Sequence, residues 1–390
     1  MTILSTTIKE SSFNPLSYTS LQAPELAATI AYINEEQVEE LLGFLRAFTT
    51  LSANEINNLN VNLSAIYAEG VILQVQPKDL KNSVADSKAT YFITFDSPIT
   101  QLEDLQTQYI LLKQKADEKL GEKTIKLAKQ TFTVQDRYKV SKNMLRLELH
   151  SPNDFDQNTA NHHTKSVSSP VPIDEPGYAY LFDLEHNRRT TDKMKKINKP
   201  RPHCYYTLRK AWHTANGTQA WVDVFLHGDT SGGLWAESLH IGDHVVTKRE
   251  VPERIEHLHR GQALLIADET SIPTVARLLE LWDNPLPPLV LSITQDESDQ
   301  DYFAQVKMNA KILGDFTVVP LVTGKVNAGR GLASLIDNEL GHYLAYQNIV
   351  IDKVWGALEA NTAKALRGLL KQRLHLERCD MVIKVYWRHD

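Results

Sequence analysis

The sequence predicts a multidomain protein with a small α+β domain first, an antiparallel β-barrel next, and an α/β domain built on a parallel sheet last. Length is the first observation, since 390 residues exceed what one hydrophobic core usually serves. The second is a change of pattern along the chain, from helix, strands and helix, to short β-branched and aromatic runs, to apolar runs that alternate with helical patterns. Together they give three folded parts in that order.

Composition excludes several classes of protein. Hydrophobic residues at 42% and charged residues at 23% are globular values, so a mostly disordered chain is excluded. No apolar run approaches the roughly 20 residues of a membrane span. The first twenty residues lack the pattern of a secretory signal, so we expect a cytoplasmic protein. Two cysteines, Cys204 and Cys379, are too few for a disulfide framework.

The first part of the chain consists of a polar tail at residues 1–24 and a small α+β accessory domain at residues 25–125. Apolar spacing predicts a helix over residues 34–48, with Asn34 as its cap. Strands are predicted at residues 65–75 and 89–95, and a second helix over residues 99–119. A charged linker follows at residues 121–130.

Short strand-like runs predict an antiparallel barrel over residues 130–255. These runs lie at residues 131–140, 144–149, 178–182, 204–209 and 219–226, with a surface loop predicted at residues 151–176. From residue 260 to 390, apolar runs at 263–267, 289–293, 316–321 and 353–358 alternate with helical patterns, the first over residues 272–281. This alternation predicts an open parallel sheet, in which ligands sit at the carboxyl ends of the strands.

Two segments of the barrel carry residue types suited to a cofactor. On one strand, the ring of Tyr206 can stack on a planar ligand, the Thr207 hydroxyl can reach a ring nitrogen, and Arg209 can pair with a phosphate. A Gly-rich turn that begins at His227-Gly228 precedes a helix predicted to start near Leu234, and its free N–H groups suit a diphosphate. An exposed aromatic strand and a plain Gly-rich turn are the alternatives.

Two segments of the α/β part lie where predicted strands end. In the first, Asp268 and Glu269 follow a strand, and Thr270 and Ser271 can cap the next helix, which offers hydroxyls and amides to a second nucleotide. In the second, Glu359 ends a strand, and the chain closes with Tyr386-Trp387-Arg388. An ordinary capped helix start and buried aromatic residues are the alternatives.

In this order, the segments resemble the siderophore-interacting, ferric-siderophore reductase family, a branch of the flavin and nicotinamide reductases. The matching residues read CYYTLR at 204–209, HG at 227–228 with WA at 235–236, ADETSIP at 267–273, WGALE at 355–359 and YWR at 386–388. The resemblance covers roughly residues 130–390. Each motif alone is weak, and five in register are specific.

The resemblance implies an FAD-binding barrel followed by an NAD(P)H-binding α/β domain. Tyr206 and Thr207 would face the isoalloxazine ring of the flavin. The FAD diphosphate would be held by Arg209, the turn at His227 and Gly228, and the helix that carries Trp235 and Ala236. The nicotinamide nucleotide would be lined by Asp268, Glu269, Thr270, Ser271 and Glu359.

The chain departs from the family pattern at several of these positions. Cys204 stands where the family usually has an arginine that pairs with phosphate, and Arg201 is a candidate substitute. Gly233 replaces a hydroxyl residue of the diphosphate turn, and Leu358 replaces a glycine that lets the cofactor approach. Tyr180 stands where a lysine facing the iron ligand is common. These departures predict weak flavin binding.

The implied activity is that of a cytoplasmic FAD-dependent ferric-siderophore reductase, which passes electrons from NAD(P)H through flavin to Fe(III) and releases Fe(II). Hydride carries two electrons and iron accepts one, and a flavin can handle both. No catalytic side chain is therefore assigned. Lys248, Arg249 and Arg388 would hold the anionic ferric siderophore, and a basic segment at residues 193–199 would add to them.

Two other functions stay open. The departures from the family pattern also suit a non-catalytic siderophore- or haem-binding protein with a degraded flavin site. A flavin reductase that serves a ferredoxin-like redox protein is the other alternative. The choice between NADH and NADPH is also open, with Lys325 and Arg330 as candidate residues for the 2′-phosphate.

The remaining features suggest no further ligand. The accessory domain resembles the small α+β domain that accompanies haem-degrading split barrels. It lacks their two motif histidines, so we expect homodimerisation or docking there and no haem. His162, His163, His257 and His259 have no regular ligand framework around them and are interpreted as loop histidines, with no metal site. A net charge of −6 argues against a nucleic-acid partner.

Overall fold

The structure is a computed structural model that describes residues 8–9, 18–78, 89–127, 129–152, 170–187, 189, 192–195, 197, 200–324 and 326–388. The chain divides into two compact units, Met1–Lys126 and Leu127–Asp390. The finer domain boundaries drawn from the sequence stay predictions. His162, His163, Lys325 and most of the predicted surface loop at residues 151–176 lie outside the described residues.

The first unit is a four-stranded antiparallel sheet with helices packed on it. Its strands are β1 (Ile8–Lys9), β2 (Leu59–Tyr67), β3 (Gly70–Pro77) and β4 (Ala89–Thr94), in the order β1-β4-β3-β2. Its helices are α1 (Leu26–Glu36), α2 (Val38–Phe48), α3 (Ala53–Asn57) and α4 (Leu105–Leu120). Apolar side chains of α2 and β3, among them Leu41, Phe44 and Leu73, form its core. The predicted α+β unit is confirmed.

Two element predictions in this unit are wrong. The helix predicted over residues 34–48 is two helices that break at Gln37. Asn34 does not cap a helix, because its side chain bonds the backbone N and O of Leu63 at 2.6 and 2.8 Å. The strand predicted at residues 65–75 is a hairpin of β2 and β3, which turns at Ala68 and Glu69.

The second unit begins with a closed antiparallel barrel, as predicted. Its strands are β5 (Thr131–Lys139), β6 (Met144–Pro152), β7 (Tyr178–Asp183), β8 (His203–Thr214), β9 (Gly217–Phe225) and β10 (His244–Pro252), in the order β10-β5-β6-β9-β8-β7. The short helices α5 (Asp192–Lys195) and α6 (Ser231–Ser238) connect them. The sequence did not predict β10, the strand that closes the barrel on β5 and β7.

The rest of this unit is a five-stranded parallel sheet. Its strands are β11 (Ala263–Ala267), β12 (Leu289–Thr294), β13 (Thr317–Val322), β14 (Lys353–Glu359) and β15 (Met381–Trp387), in the order β13-β12-β11-β14-β15. Helix α7 (Ile272–Glu280) packs in the core on one face, and α8 (Arg330–Gln347) and α9 (Ala360–Leu374) pack on the other. The predicted fold class is therefore confirmed. Among the described residues, no helix is long and apolar enough to cross a bilayer.

A buried polar network ties the barrel to the segment after β12. Arg146 on β6 donates two hydrogen bonds to Asp223 on β9, at 2.8 and 2.7 Å. The Tyr302 hydroxyl donates to the same carboxylate and accepts a bond of 3.1 Å from the Nε of Arg209 on β8. Since all four side chains are buried, removing one charge leaves its partner uncompensated.

We expect Asp223→Ala to lower the free energy of unfolding by about 3–5 kcal/mol, because it leaves the Arg146 guanidinium buried and unpaired. The control is Asp229→Ala, which removes an exposed ion pair with Lys193 and is expected to cost less than about 1 kcal/mol. Urea denaturation of both variants measures the difference. An equal loss of unfolding free energy in the two variants would show that the buried network does not stabilise the barrel.

Candidate functional site

The predicted acidic residues meet at the carboxyl edge of the parallel sheet. Strands β11 and β14 are neighbours, with Ala267 opposite Ala357, so Asp268 and Glu359 end adjacent strands. Asp268 accepts bonds from the backbone and hydroxyl of Thr270 at 3.0 and 2.6 Å. Its other oxygen accepts a bond of 2.9 Å from the Trp387 indole. Asp268 thus fixes the turn after β11 and the end of β15.

The helix start that follows differs from the predicted cap. Ser271 is the N-cap residue of α7, but its side chain makes no capping bond. Its hydroxyl donates instead to the carbonyl oxygen of Ala357 at 2.7 Å, which ties the turn to β14. Pro273 lies in the first turn, as expected for a residue without an N–H group.

The two glutamates at this edge are buried in different ways. Glu269 accepts a bond of 2.6 Å from the backbone N–H of Gln295, and burial raises its pKa to about 7. Burial also raises the pKa of Asp268. Glu359 is 2% exposed and caps α9 through one carboxylate oxygen, which accepts from the Thr362 N–H at 2.9 Å. Its other oxygen is buried and has no hydrogen-bond partner among the described residues.

Tyr206, the predicted flavin-facing residue, packs against the chain itself. Its ring lies parallel to that of Trp235, with centroids 6.1 Å apart, and contacts Phe182 at 6.0 Å. A Cβ on Gly232 would overlap the Tyr206 hydroxyl and lie 3.3 Å from the Cys204 sulfur. The Tyr206 side chain therefore fills the space above the first turn of α6.

Thr207 and Arg209 also contact other residues of the second unit. Thr207 is 5% exposed and shares a hydrogen bond of 2.6 Å with Thr274 on α7. Arg209 is 3% exposed and donates two bonds to Glu280, also on α7, at 2.9 and 3.1 Å. Strand β8 is thus bonded directly to α7.

The Gly-rich turn lies between β9 and α6, and the helix begins earlier than the predicted start near Leu234. Gly228 has a φ of +57°, with open space where a Cβ would lie. Helix α6 begins at Ser231, and the Thr230 side chain caps it by accepting from the Gly233 N–H at 3.3 Å. His227 stacks on Phe225, with ring centroids 5.2 Å apart.

Trp235 and Ala236 are buried in the core of the barrel. Neither presents a surface to solvent, so neither can contact a diphosphate in this conformation.

The predicted siderophore-binding cations lie on two elements. Lys248 and Arg249 are on β10, and Arg388 follows β15. Lys248 is bonded to His203 and forms an ion pair of 3.1 Å with Asp183. Burial and this lysine lower the pKa of His203.

The basic segment is only partly described. Lys193 and Lys195 pair with Asp229 and Asp192 at 3.3 and 2.9 Å. Lys196 and Lys199 lie outside the described residues. Arg330, the other candidate for the 2′-phosphate, is the first residue of α8 and is exposed.

Comparison with known proteins agrees with the resemblance. The siderophore-interacting protein family, as a sequence model, matches residues 261–390. The ferric acinetobactin reductase of Acinetobacter baumannii is 25% identical over 185 residues, which are 47% of this chain and 59% of that protein. This chain therefore spans about three-fifths of the relative that it matches. The predicted resemblance is confirmed over these segments.

Two solved structures are similar to the chain. One is a siderophore-interacting protein of Acinetobacter baumannii, with 16% identity, a TM-score of 0.49, and coverage of 67% of this chain and 90% of that one. The other is a siderophore utilization protein of T. fusca, with 18% identity, a TM-score of 0.44, and coverage of 68% of this chain and 94% of that one.

The residues present do not fit FAD in the conformation that the structure describes. A diphosphate needs space at the first turn of α6, where the Tyr206 hydroxyl lies against Gly232. A flavin ring needs a free hydroxyl at Thr207 and a phosphate needs a free guanidinium at Arg209, and both groups are bonded to α7. The role of these residues in binding FAD stays a prediction.

Sequence reasoning missed the residues that occupy the candidate flavin site. Thr274, Glu280 and Tyr302 lie 67, 71 and 93 residues from their partners on β8. No local pattern pairs them with that strand. One feature of the sequence did point to a filled site. Cys204 replaces the arginine that the family usually has, and without that arginine the space at the first turn of α6 loses a group that would keep it polar and open.

The raised pKa of Glu269 predicts a pH-dependent stability. The folded state holds a proton that the unfolded chain releases near its ordinary pKa of 4.5, so stability falls as the pH rises from about 4.5 to about 7. Glu269→Gln keeps an acceptor for the Gln295 N–H but does not titrate. We expect the fall in its free energy of unfolding over this pH range to be smaller by on the order of 3 kcal/mol. Urea denaturation of both proteins at pH 5 and pH 8 measures it. If the free energy of unfolding falls equally in the two proteins between pH 5 and pH 8, Glu269 is not the group responsible.

Proposed function

We propose that this chain is a cytoplasmic oxidoreductase that reduces the iron of a ferric siderophore with electrons from NAD(P)H, and that it uses FAD. The match of residues 261–390 to the siderophore-interacting protein family carries this proposal. The fold supports it, since a barrel followed by a parallel sheet provides two surfaces for two nucleotides. Both cysteines are free thiols, which suits a reducing compartment.

The carboxyl edge of the sheet supports binding of the nicotinamide nucleotide. The unpartnered oxygen of Glu359 is a buried acceptor that lacks a donor, and a ribose hydroxyl supplies one. Glu269 and the turn at Thr270 and Ser271 lie at the same edge. In the proposal, Glu359 binds the ribose, and Asp268 holds the turn in place through Trp387.

Cationic side chains support binding of the anionic siderophore. In the proposal, Lys248, Arg249 and Arg388 attract the ferric complex, which is wrapped in anionic oxygen ligands. Arg249 suits this role, because its side chain is half-buried on β10 and its Nε, although buried, has no hydrogen-bond partner among the described residues. Lys248 suits it less well, since it is already paired with Asp183.

A non-catalytic siderophore-binding protein is the second candidate function. The contacts of Tyr206, Thr207 and Arg209 with their own chain favour it, because they occupy the surface that a flavin would need. This candidate binds the ferric complex without consuming NAD(P)H. The two candidates therefore differ in whether nicotinamide oxidation accompanies binding.

The test is reduction of a ferric siderophore by the full chain with excess FAD and NADH or NADPH, under anaerobic conditions. We expect Fe(II), trapped by a ferrous-specific dye, in amounts that depend on protein, FAD and nicotinamide together. Reactions without protein measure reduction by free flavin. Ferric-siderophore binding with no nicotinamide oxidation above that background would replace the proposal with the second candidate.

We expect Glu359→Gln to raise the KM for NAD(P)H about tenfold, because an amide replaces the carboxylate that accepts from the ribose. The KM for the ferric siderophore should not change, since that substrate binds elsewhere. The matched control is Glu377→Gln, an exposed glutamate after α9, which should change neither constant. An equal rise in both KM values would show general damage to the fold.

A further inference from the structure

Strand β8 and helix α7 are joined by two hydrogen-bonded contacts, which we call the strand–helix latch. The first is the ion pair of Arg209 and Glu280, and the second is the hydroxyl pair of Thr207 and Thr274. Both contacts use the side chains that a flavin would need. The hydroxyl pair is buried, and in the ion pair Arg209 is buried while the Glu280 side chain is 15% exposed, so competition from water is small.

We infer that the strand–helix latch closes the surface formed by Tyr206, Thr207, Arg209 and the first turn of α6, which we call the flavin cleft, in the ligand-free protein. FAD is then a dissociable ligand of this chain and not a resident cofactor. The inference rests on the proposed function. FAD binds only in the fraction of molecules in which the latch is open, and its apparent affinity is reduced by that fraction.

If Arg209 moves away from Glu280, the Glu280 carboxylate still has cationic neighbours. Glu280 also lies 3.8 Å from the Lys210 ammonium and 4.0 Å from the Arg277 guanidinium. These cations keep the carboxylate compensated when Arg209 turns to a phosphate. The latch therefore opens at a lower cost than a buried pair with no other neighbours.

Thr274 is held from its other side. Its hydroxyl shares a bond of 3.1 Å with the Tyr386 hydroxyl, which donates to Glu253 at 2.8 Å. Lys384 forms an ion pair of 2.7 Å with the same Glu253. This chain of bonds fixes Thr274 in the position that meets Thr207, and so favours the closed state.

In the same conformation, side chains of β8 cover the first turn of α6. Tyr206 and Cys204 lie against Gly232, where a larger residue would overlap the Tyr206 hydroxyl. Cys204 offers no positive charge to a diphosphate, and burial raises the pKa of its thiol. Position 204 thus supplies no cation that would draw a phosphate into this space against the closed packing, whereas Arg201, the candidate substitute, lies beside the first turn of α6, where its backbone N–H donates to the Ser231 hydroxyl at 2.9 Å.

The experiment is an FAD titration of the full chain, followed by quenching of flavin fluorescence, for the natural protein and for Glu280→Gln. The substitution keeps the size of the side chain and removes its charge, which weakens the latch and frees Arg209. We expect the natural protein to purify without FAD. We expect Glu280→Gln to bind FAD about tenfold more tightly, because a larger fraction of molecules is open.

A second variant and a control accompany it. Thr274→Val removes the other contact of the latch, and we expect it to raise the FAD affinity about threefold. The control is Asp337→Asn, which breaks a bidentate pair of the same kind, with Arg373, on the other face of the sheet. It should leave the FAD affinity unchanged.

Three results would overturn the inference. The first is that the natural protein retains one FAD per chain through purification and dialysis. The second is that folded Glu280→Gln and Thr274→Val bind FAD no more tightly than the natural protein, and the third is that no variant binds FAD. Failure of the proposed function gives a different result, since the latch variants would then bind FAD more tightly while no protein reduces the ferric siderophore. The two failures are therefore separated by one titration and one reduction assay.

Discussion

The ion pair between Arg209 and Glu280 links the barrel of the second unit to the helix beside it. Arg209 comes from the barrel and Glu280 from the helix that covers the parallel sheet, so the pair joins the two halves of this unit. A guanidinium in this place needs a partner, because an uncompensated buried charge is costly. The side chain that the family pattern assigns to a phosphate is paired with a carboxylate of its own chain, and in our proposal this pair sets whether the flavin cleft is open or closed.

The two ends of the candidate site differ in character. At the sheet edge, the acids hold strand ends and turns in place, and Glu359 keeps an acceptor without a donor among the described residues. At the barrel, Tyr206, Thr207 and Arg209 already have partners from the same chain. In our proposal, the sheet edge can accept a nucleotide as it stands, whereas the barrel surface has to rearrange before FAD binds.

The barrel and the parallel sheet could be predicted because their strands carry strong local patterns. β11 was placed at its observed bounds, since Ala263–Ala267 is a continuous apolar run with a turn after it. β10 was missed because Lys248, Arg249 and Glu250 interrupt its alternation of apolar residues. The break at Gln37 was missed because the apolar spacing used for the prediction lies after it, from Val38 to Phe48, and gives no sign of a separate helix before it.

The residues that close the site could not be predicted, for a different reason. Each contact of the latch joins positions about 70 residues apart, and the matching of donor to acceptor appears only once the chain is folded. The convergence of Asp268 and Glu359 was predictable, since parallel strands end at the same edge.

Reaction of the two thiols with a coloured disulfide reagent tests the closed packing most directly. Cys379 is exposed, whereas Cys204 lies partly buried against Tyr206 and the first turn of α6. In the ligand-free protein, the closed arrangement predicts that one thiol reacts at once and the other at least about tenfold more slowly. Rapid reaction of both thiols at similar rates would show an open cleft and contradict the account.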